Sequence, residues 1–183
     1  MPHVDLLDLP YFQGISLDDV TSLVDVMEPR EFQPGQTILE EGEGPPPPLF
    51  IATYGDVVIT KRAKGGHQRL LAELHSPTLF GEVELFCQIP PVATARAGSR
   101  LNCFALSKEK YHALYDARHP AVVAFTFNVA RVACHRLAVA DAMLAQILDD
   151  EDLVTLRRHV FAEMHHDEWH QITGTFRRPE FDK

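Results

Sequence analysis

Between Glu31 and Leu106 no apolar segment runs far before Gly or Pro breaks it. Phe32 is followed by the turn Gln33-Pro34-Gly35 and then by Thr37-Ile38-Leu39. Leu49-Phe50-Ile51 and Val57-Val58-Ile59-Thr60 are separated by Gly55, and Gly65-Gly66 marks a hairpin before Leu70-Leu71-Ala72-Glu73-Leu74. Val92 to Ala97 and Leu101 to Leu106 close the series. Runs this short, rich in β-branched and aromatic residues and bounded by turn residues, predict strands. A sheet must bury its apolar face against another layer or on itself, so many short strands between tight turns predict a jelly roll or barrel. Pro45-Pro46-Pro47-Pro48 is a stiff stretch inside the series, and it reads as a rigid loop of the roll rather than as a ligand for a proline-binding module.

Helical patterns flank this region. Ser16 to Met27 predicts a short helix with Ser16 as its cap and Asp19 in its first turn; Val20, Leu23, Val24 and Met27 share a face, and Pro29 is expected to stop it. Lys108 to Ala117 predicts another. Pro120 suits the opening turn of a longer helix reaching about Leu148, because Ala121 to Leu148 contains no Gly or Pro and is rich in Ala, Leu and Arg. One stripe along it comprises Phe125, Val129, Val132, Arg136, Ala140, Met143 and Ile147; a second comprises Phe127, Ala130, Cys134, Leu137, Leu144 and Leu148. A helix apolar on two sides needs cover on two sides. The roll supplies one, and a second copy of the chain is expected to supply the other, which makes the protein a homodimer through this helix.

With 183 residues, the chain suffices for one well-cored domain and an appendage. A formal net charge of −9 argues against nucleic-acid binding by bulk charge. No apolar run reaches the ~18 residues of a membrane span, and Met1-Pro-His-Val-Asp lacks the basic and apolar parts of a signal peptide. A cytoplasmic protein with no membrane partner is expected. Cys87, Cys103 and Cys134 share no metal spacing and read as reduced thiols in or near the core.

The segment Phe80-Gly81-Glu82-Val83-Glu84-Leu85-Phe86 carries the chemistry. Gly81 permits a backbone conformation and a close approach that a side chain would block. The residues after it can form a short helix whose N–H groups point into a concavity, a place for phosphate, and Glu82 can accept hydrogen bonds from a ribose hydroxyl. The segment occurs in order with Leu9-Pro10-Tyr11-Phe12, Phe32-Gln33-Pro34-Gly35, Glu40-Glu41-Gly42-Glu43, Leu49-Phe50-Ile51, Tyr54-Gly55-Asp56-Val57 and Ala93-Thr94. On these motifs, from about residue 9 to 148, the chain resembles the cyclic-nucleotide-binding domain family, which includes the catabolite activator proteins and protein kinase A regulatory subunits.

The resemblance implies a mainly β fold with flanking helices: a double-stranded β-helix, or jelly roll, followed by the long helix and a helical tail. The chain is expected to divide into 1–118 (N-terminal helix and roll), 119–148 (long helix, dimer interface) and 149–183 (short, partly flexible helical tail). The resemblance also implies a nucleotide pocket, with Phe80, Gly81, Glu82, Val83, Val92, Ala93 and Thr94 as candidate ligand residues. In the family an Arg about nine positions past the Glu pairs with the cyclic phosphate; here Pro91 stands there, in Ile89-Pro90-Pro91-Val92-Ala93-Thr94. Arg offers a charged, forked donor set, whereas Pro has neither charge nor N–H. Pro77 likewise replaces a Gly usual before the FGE segment.

Arg96 is expected to point outward, and Arg62 and Arg69 flank a hairpin. Arg131, His135 and Arg136 on the long helix are better replacements, with a solvated or dimer-facing strip as their favoured role. The ligand is thus expected to be altered, a cyclic nucleotide or cyclic dinucleotide, or to be lost. In the latter case the roll serves as an adaptor for a signalling protein partner.

Only 35 residues follow Leu148, acidic at Asp149-Asp150-Glu151-Asp152, with no pair of helices around a Gly turn. Direct DNA binding is therefore not expected. Leu153, Leu156, Val160 and Met164 recur at helical spacing, and Trp169 and Phe176 suggest packing on a partner subunit. His159, Glu163, His166 and His170 share a helix face and form a weak metal candidate, but no second cluster closes the coordination, so no metal is expected. The roll segments lack the clustered His of a metal-dependent cupin-like enzyme, and no catalytic set is found.

Overall fold

The computed structural model describes residues 6–63 and 65–147, together with Asp152 and Thr155. Among these residues eight strands form: β1 (Glu28–Phe32), β2 (Thr37–Leu39), β3 (Leu49–Tyr54), β4 (Asp56–Arg62), β5 (Gln68–His75), β6 (Thr78–Phe80), β7 (Thr94–Ala97) and β8 (Leu101–Leu106). Among the described residues the α-helices are α1 (Leu17–Asp25), α2 (Glu82–Cys87), α3 (Lys108–Asp116) and α4 (Pro120–Ile147), and 3-10 turns form at Leu6–Asp8 and Pro10–Phe12. The strands form two antiparallel four-stranded sheets, ordered β1-β8-β3-β6 and β2-β7-β4-β5. This is the expected jelly roll with flanking helices.

The first sheet is covered on both faces, and β3 shows how. Phe50 and Ala52 turn into one cluster, inside the roll, with Val57, Phe80, Leu101 and Cys103. Leu49 and Ile51 turn the other way, onto Phe12, Leu23, Tyr111, Val122 and Phe125 of the helical layer. The two-residue period of a strand divides its side chains between two cores, so β3 reads as a continuous apolar run rather than an alternating one. Phe50 stacks on Phe80 with ring centroids 5.0 Å apart. On the helical side Phe12 meets Phe125 at 5.4 Å, and Asn128 Nδ2 donates to the carbonyls of Tyr11 and Gln13.

Ser16 caps α1 as expected, accepting from the Asp19 N–H at 3.2 Å. Pro29, expected to stop that helix, instead lies inside β1 opposite Phe104. The helix ends earlier, at Asp25. β1 is an edge strand, where a residue without an N–H is tolerated. Two of the three cysteines also depart from expectation. Cys103 is buried, and burial pushes its thiol pKa up to about 12, but Cys87 and Cys134 are exposed.

The chain divides into two compact units, Met1–Val132 and Ala133–Lys183. Within the first, α4 buries Ala121, Val122, Phe125, Asn128 and Val129. Within the second, among the described residues of α4, Leu137, Met143 and Ile147 are exposed. Among the described residues α4 is also long and apolar enough to cross a membrane, with a mean hydropathy of 1.3 in its most apolar stretch. Arg131 and Arg136 interrupt the apolar run without removing that average. The tail from 156 to 183, with His159, Glu163, His166 and His170, lies outside the described residues.

Candidate functional site

The segment from Phe80 to Thr94 runs from the end of β6, through α2, to the start of β7. Gly81 caps α2 with φ +82°. An added Cβ would sit 2.8 Å from the Pro48 carbonyl oxygen, closer than carbon and oxygen pack. The polyproline stretch is therefore a wall of this site: Pro45 is exposed, but Pro47 is buried and Pro48 lies against Gly81. Phe80, a candidate ligand residue, packs inside the roll on Phe50.

Glu82 and Glu84 are both buried, at 9% and 5% exposure. The Glu84 carboxylate accepts the N–H of Val92 at 2.9 Å and so ties α2 to the returning loop. Pro91 is buried; its carbonyl accepts the N–H of Gly42 at 2.8 Å. The Val92 carbonyl accepts from Lys61 Nζ. Thr94 is fully buried and its hydroxyl oxygen accepts the Glu41 N–H at 3.1 Å. Glu41 in turn accepts the Arg62 N–H at 2.7 Å and lies 3.5 Å from Lys61. The Arg62 N–H first, and the Lys61 ammonium beside it, hold the Glu41 carboxyl below the usual carboxylate range. Val83 and Val92 are exposed and Ala93 is half-buried.

The structure thus brings Gly81, Glu82, Pro91, Val92 and Thr94 into one loop–helix–loop unit closed by Lys61 of β4 and by main-chain groups of Glu41, Gly42 and Pro48. Arg96 is exposed on β7 and lies 3.8 Å from Glu40. Arg62 and Arg69 are exposed at the β4–β5 hairpin, and Arg131 and His135 are exposed on α4. Lys61 and Glu84 were not legible as site residues. Glu84 left a faint signal, a second carboxylate inside the apolar run Val83–Phe86. Lys61 left none, since its contact spans 31 positions of chain.

Two four-stranded antiparallel sheets, with a glycine-started turn and short helix between two of the strands, define a jelly-roll domain. The family model of the cyclic nucleotide-binding domain matches residues 29–118, and the β-roll of this chain belongs to that family. The chain is 32% identical over 96 residues to the cAMP-dependent protein kinase regulatory subunit of Dictyostelium discoideum, covering 51% of this chain and 29% of the relative. It is 26% identical over 137 residues to the CRP-like cAMP-activated global transcriptional regulator of Mycobacterium tuberculosis, covering 75% of this chain and 59% of that protein. Among solved structures, the Thermus thermophilus catabolite activator protein superposes with a TM-score of 0.67 at 30% identity, over 76% of this chain and 63% of the other. The chain therefore spans less than two thirds of each of these relatives.

Proposed function

We propose that the chain is a non-enzymatic regulatory module, and that its roll has altered or lost the cyclic-nucleotide ligand of its family. The observation that carries this is Pro91, buried at the position where the family's phosphate-pairing Arg is expected. Removing one partner of a buried charge pair costs about 2–5 kcal/mol, or roughly 30- to 3,000-fold in affinity. A micromolar site for cyclic AMP would weaken to between roughly tens of micromolar and a few millimolar. The relatives named above are a kinase regulatory subunit and cAMP-activated or catabolite-activator regulators, which supports regulation over catalysis. Calorimetry of the full chain with cyclic AMP, cyclic GMP and cyclic di-GMP tests the reading. No heat is expected from the first two at micromolar concentrations, and micromolar binding of cyclic AMP overturns it. Saturable heat from cyclic di-GMP favours an altered ligand, and silence from all three favours an adaptor.

The adaptor reading draws on a separate observation. Phe127, Leu137 and Ile147 of α4 are 66%, 62% and 78% exposed. We propose that a second copy covers them, giving a cytoplasmic homodimer whose remaining surface meets a signalling partner. Light scattering should give twice the chain mass, and Leu137→Asp should halve it. A chain that stays in solution only with detergent would place α4 in lipid instead.

A further inference from the structure

The main-chain groups of Pro91 and Val92 form a closed account. Pro91 has no N–H to give. Its carbonyl accepts from Gly42, the Val92 N–H goes to Glu84 Oε1 at 2.9 Å, and the Val92 carbonyl accepts from Lys61. Exposed backbone N–H groups in a turn are what a protein uses to hold an anion. Here the N–H next to position 91 already holds one, supplied by the chain itself.

We infer that Glu84 is a specificity determinant of this site: its carboxylate occupies, from within the chain, the anion position beside residue 91 and bars phosphate-bearing ligands. The inference rests on the altered-ligand reading above and says what enforces it. Loss of an Arg alone would leave a weakened anion site. A buried carboxylate in the same place makes the site repulsive, because a phosphate there would meet a like charge at near-contact distance in a partly desolvated setting. It would also have to strip Glu84 of its bond to Val92, leaving a buried charge unsatisfied. The second buried carboxylate, Glu82, lies two residues away on the same short helix and adds to the negative field. Lys61 offsets part of that field, yet its ammonium is already engaged by the Val92 carbonyl and by Glu41.

The consequence is that restoring the guanidinium is not enough. Cyclic AMP titrations by calorimetry would compare the full-length wild type, Pro91→Arg, and Pro91→Arg combined with Glu84→Ala or with Glu84→Gln. Pro91→Arg with Glu84→Ala should bind about 100-fold more tightly than Pro91→Arg alone, the scale of relieving one close like-charge contact. Glu84→Gln keeps an oxygen for the Val92 N–H and removes only the charge. Its double variant should gain at least about tenfold, and it stands in for Glu84→Ala if a thermal melt shows that variant unfolded. Equal affinities in Pro91→Arg and both double variants, or binding in none of them, overturn the role of Glu84 and leave the altered-ligand reading intact. Micromolar binding by the wild type overturns the altered-ligand reading itself.

Discussion

The segment between Phe80 and Thr94 is held at its two ends by different physics. At the first end the constraint is steric: Gly81 sits at φ +82° with the Pro48 carbonyl where a Cβ would go, and Phe80 is clamped on Phe50. At the second end it is polar: Thr94, Glu84, Gly42 and Lys61 each close one hydrogen bond on or beside the loop. A steric fit admits few residues, so its failure costs the fold. A hydrogen-bonded closure can be rebuilt from other side chains, so chemistry can change there while the roll survives. That asymmetry fits the proposal that the chain keeps a Phe-Gly-Glu opening while Pro91 stands where the family's Arg is expected.

The largest expected effect tests the steric end. Gly81→Ala places an L side chain in the left-handed region, at about 1–2 kcal/mol, and drives its Cβ toward a backbone oxygen that β3 keeps from moving. A total loss of about 2–4 kcal/mol is expected in urea unfolding. A loss below about 1 kcal/mol would show that the two ends do not differ in kind. The next effect tests the polar end. Thr94→Val keeps the volume of a fully buried side chain but removes the acceptor of the Glu41 N–H. The expected loss is about 1–2 kcal/mol, the cost of a donor left unmet in a half-buried place. Thr94→Ser retains the hydroxyl and should recover most of it, because the bond rather than the methyl closes this end.

The same asymmetry governs what the sequence revealed. Steric and periodic constraints act through neighbours in the chain and leave a local signature, so Gly81, the Ser16 cap, and strands β2 and β8 were legible, the strands at their observed bounds. Contacts that close over long stretches of chain leave none. The polyproline stretch reads as a loop, but nothing local says that it walls the site at Gly81. Lys61 carries no local sign of its contact with the Val92 carbonyl. Pro29 misled for a related reason: its effect depends on whether the strand it enters has one neighbour or two, and that is a property of the sheet order. Cys87 reads as a thiol in or near the core, whereas α2 leaves it exposed.

The smallest effect serves as a control outside the Phe80–Thr94 segment, the cassette of this roll. Asp56 and His75 face each other across the β4–β5 pair, with His75 Nδ1 2.8 Å from Asp56 Oδ1 and the Ser99 hydroxyl donating to Asp56 Oδ2. The hydrogen bond to Asp56, and then its charge, raise the His75 pKa above its ordinary 6.5. The bonds from His75 and then Ser99 lower the Asp56 carboxyl below 3.8. A raised histidine pKa contributes stability that is fully present below pH 6.5 and fades as pH rises through the folded value. A lowered aspartate contributes stability present above pH 3.8 and lost as pH falls through its folded value. The ion pair is therefore intact between the lowered pKa of Asp56 and the raised pKa of His75. An NMR titration should show His75 changing charge above pH 6.5, and Asp56→Asn should return it to about 6.5. Because both side chains are exposed, solvent screens the pair, and His75→Gln should move the melting temperature far less than Thr94→Val does. A comparable shift from the two variants would mean that burial does not set the worth of a polar contact in this roll, and the distinction between the cassette's closure and its surroundings would fall with it.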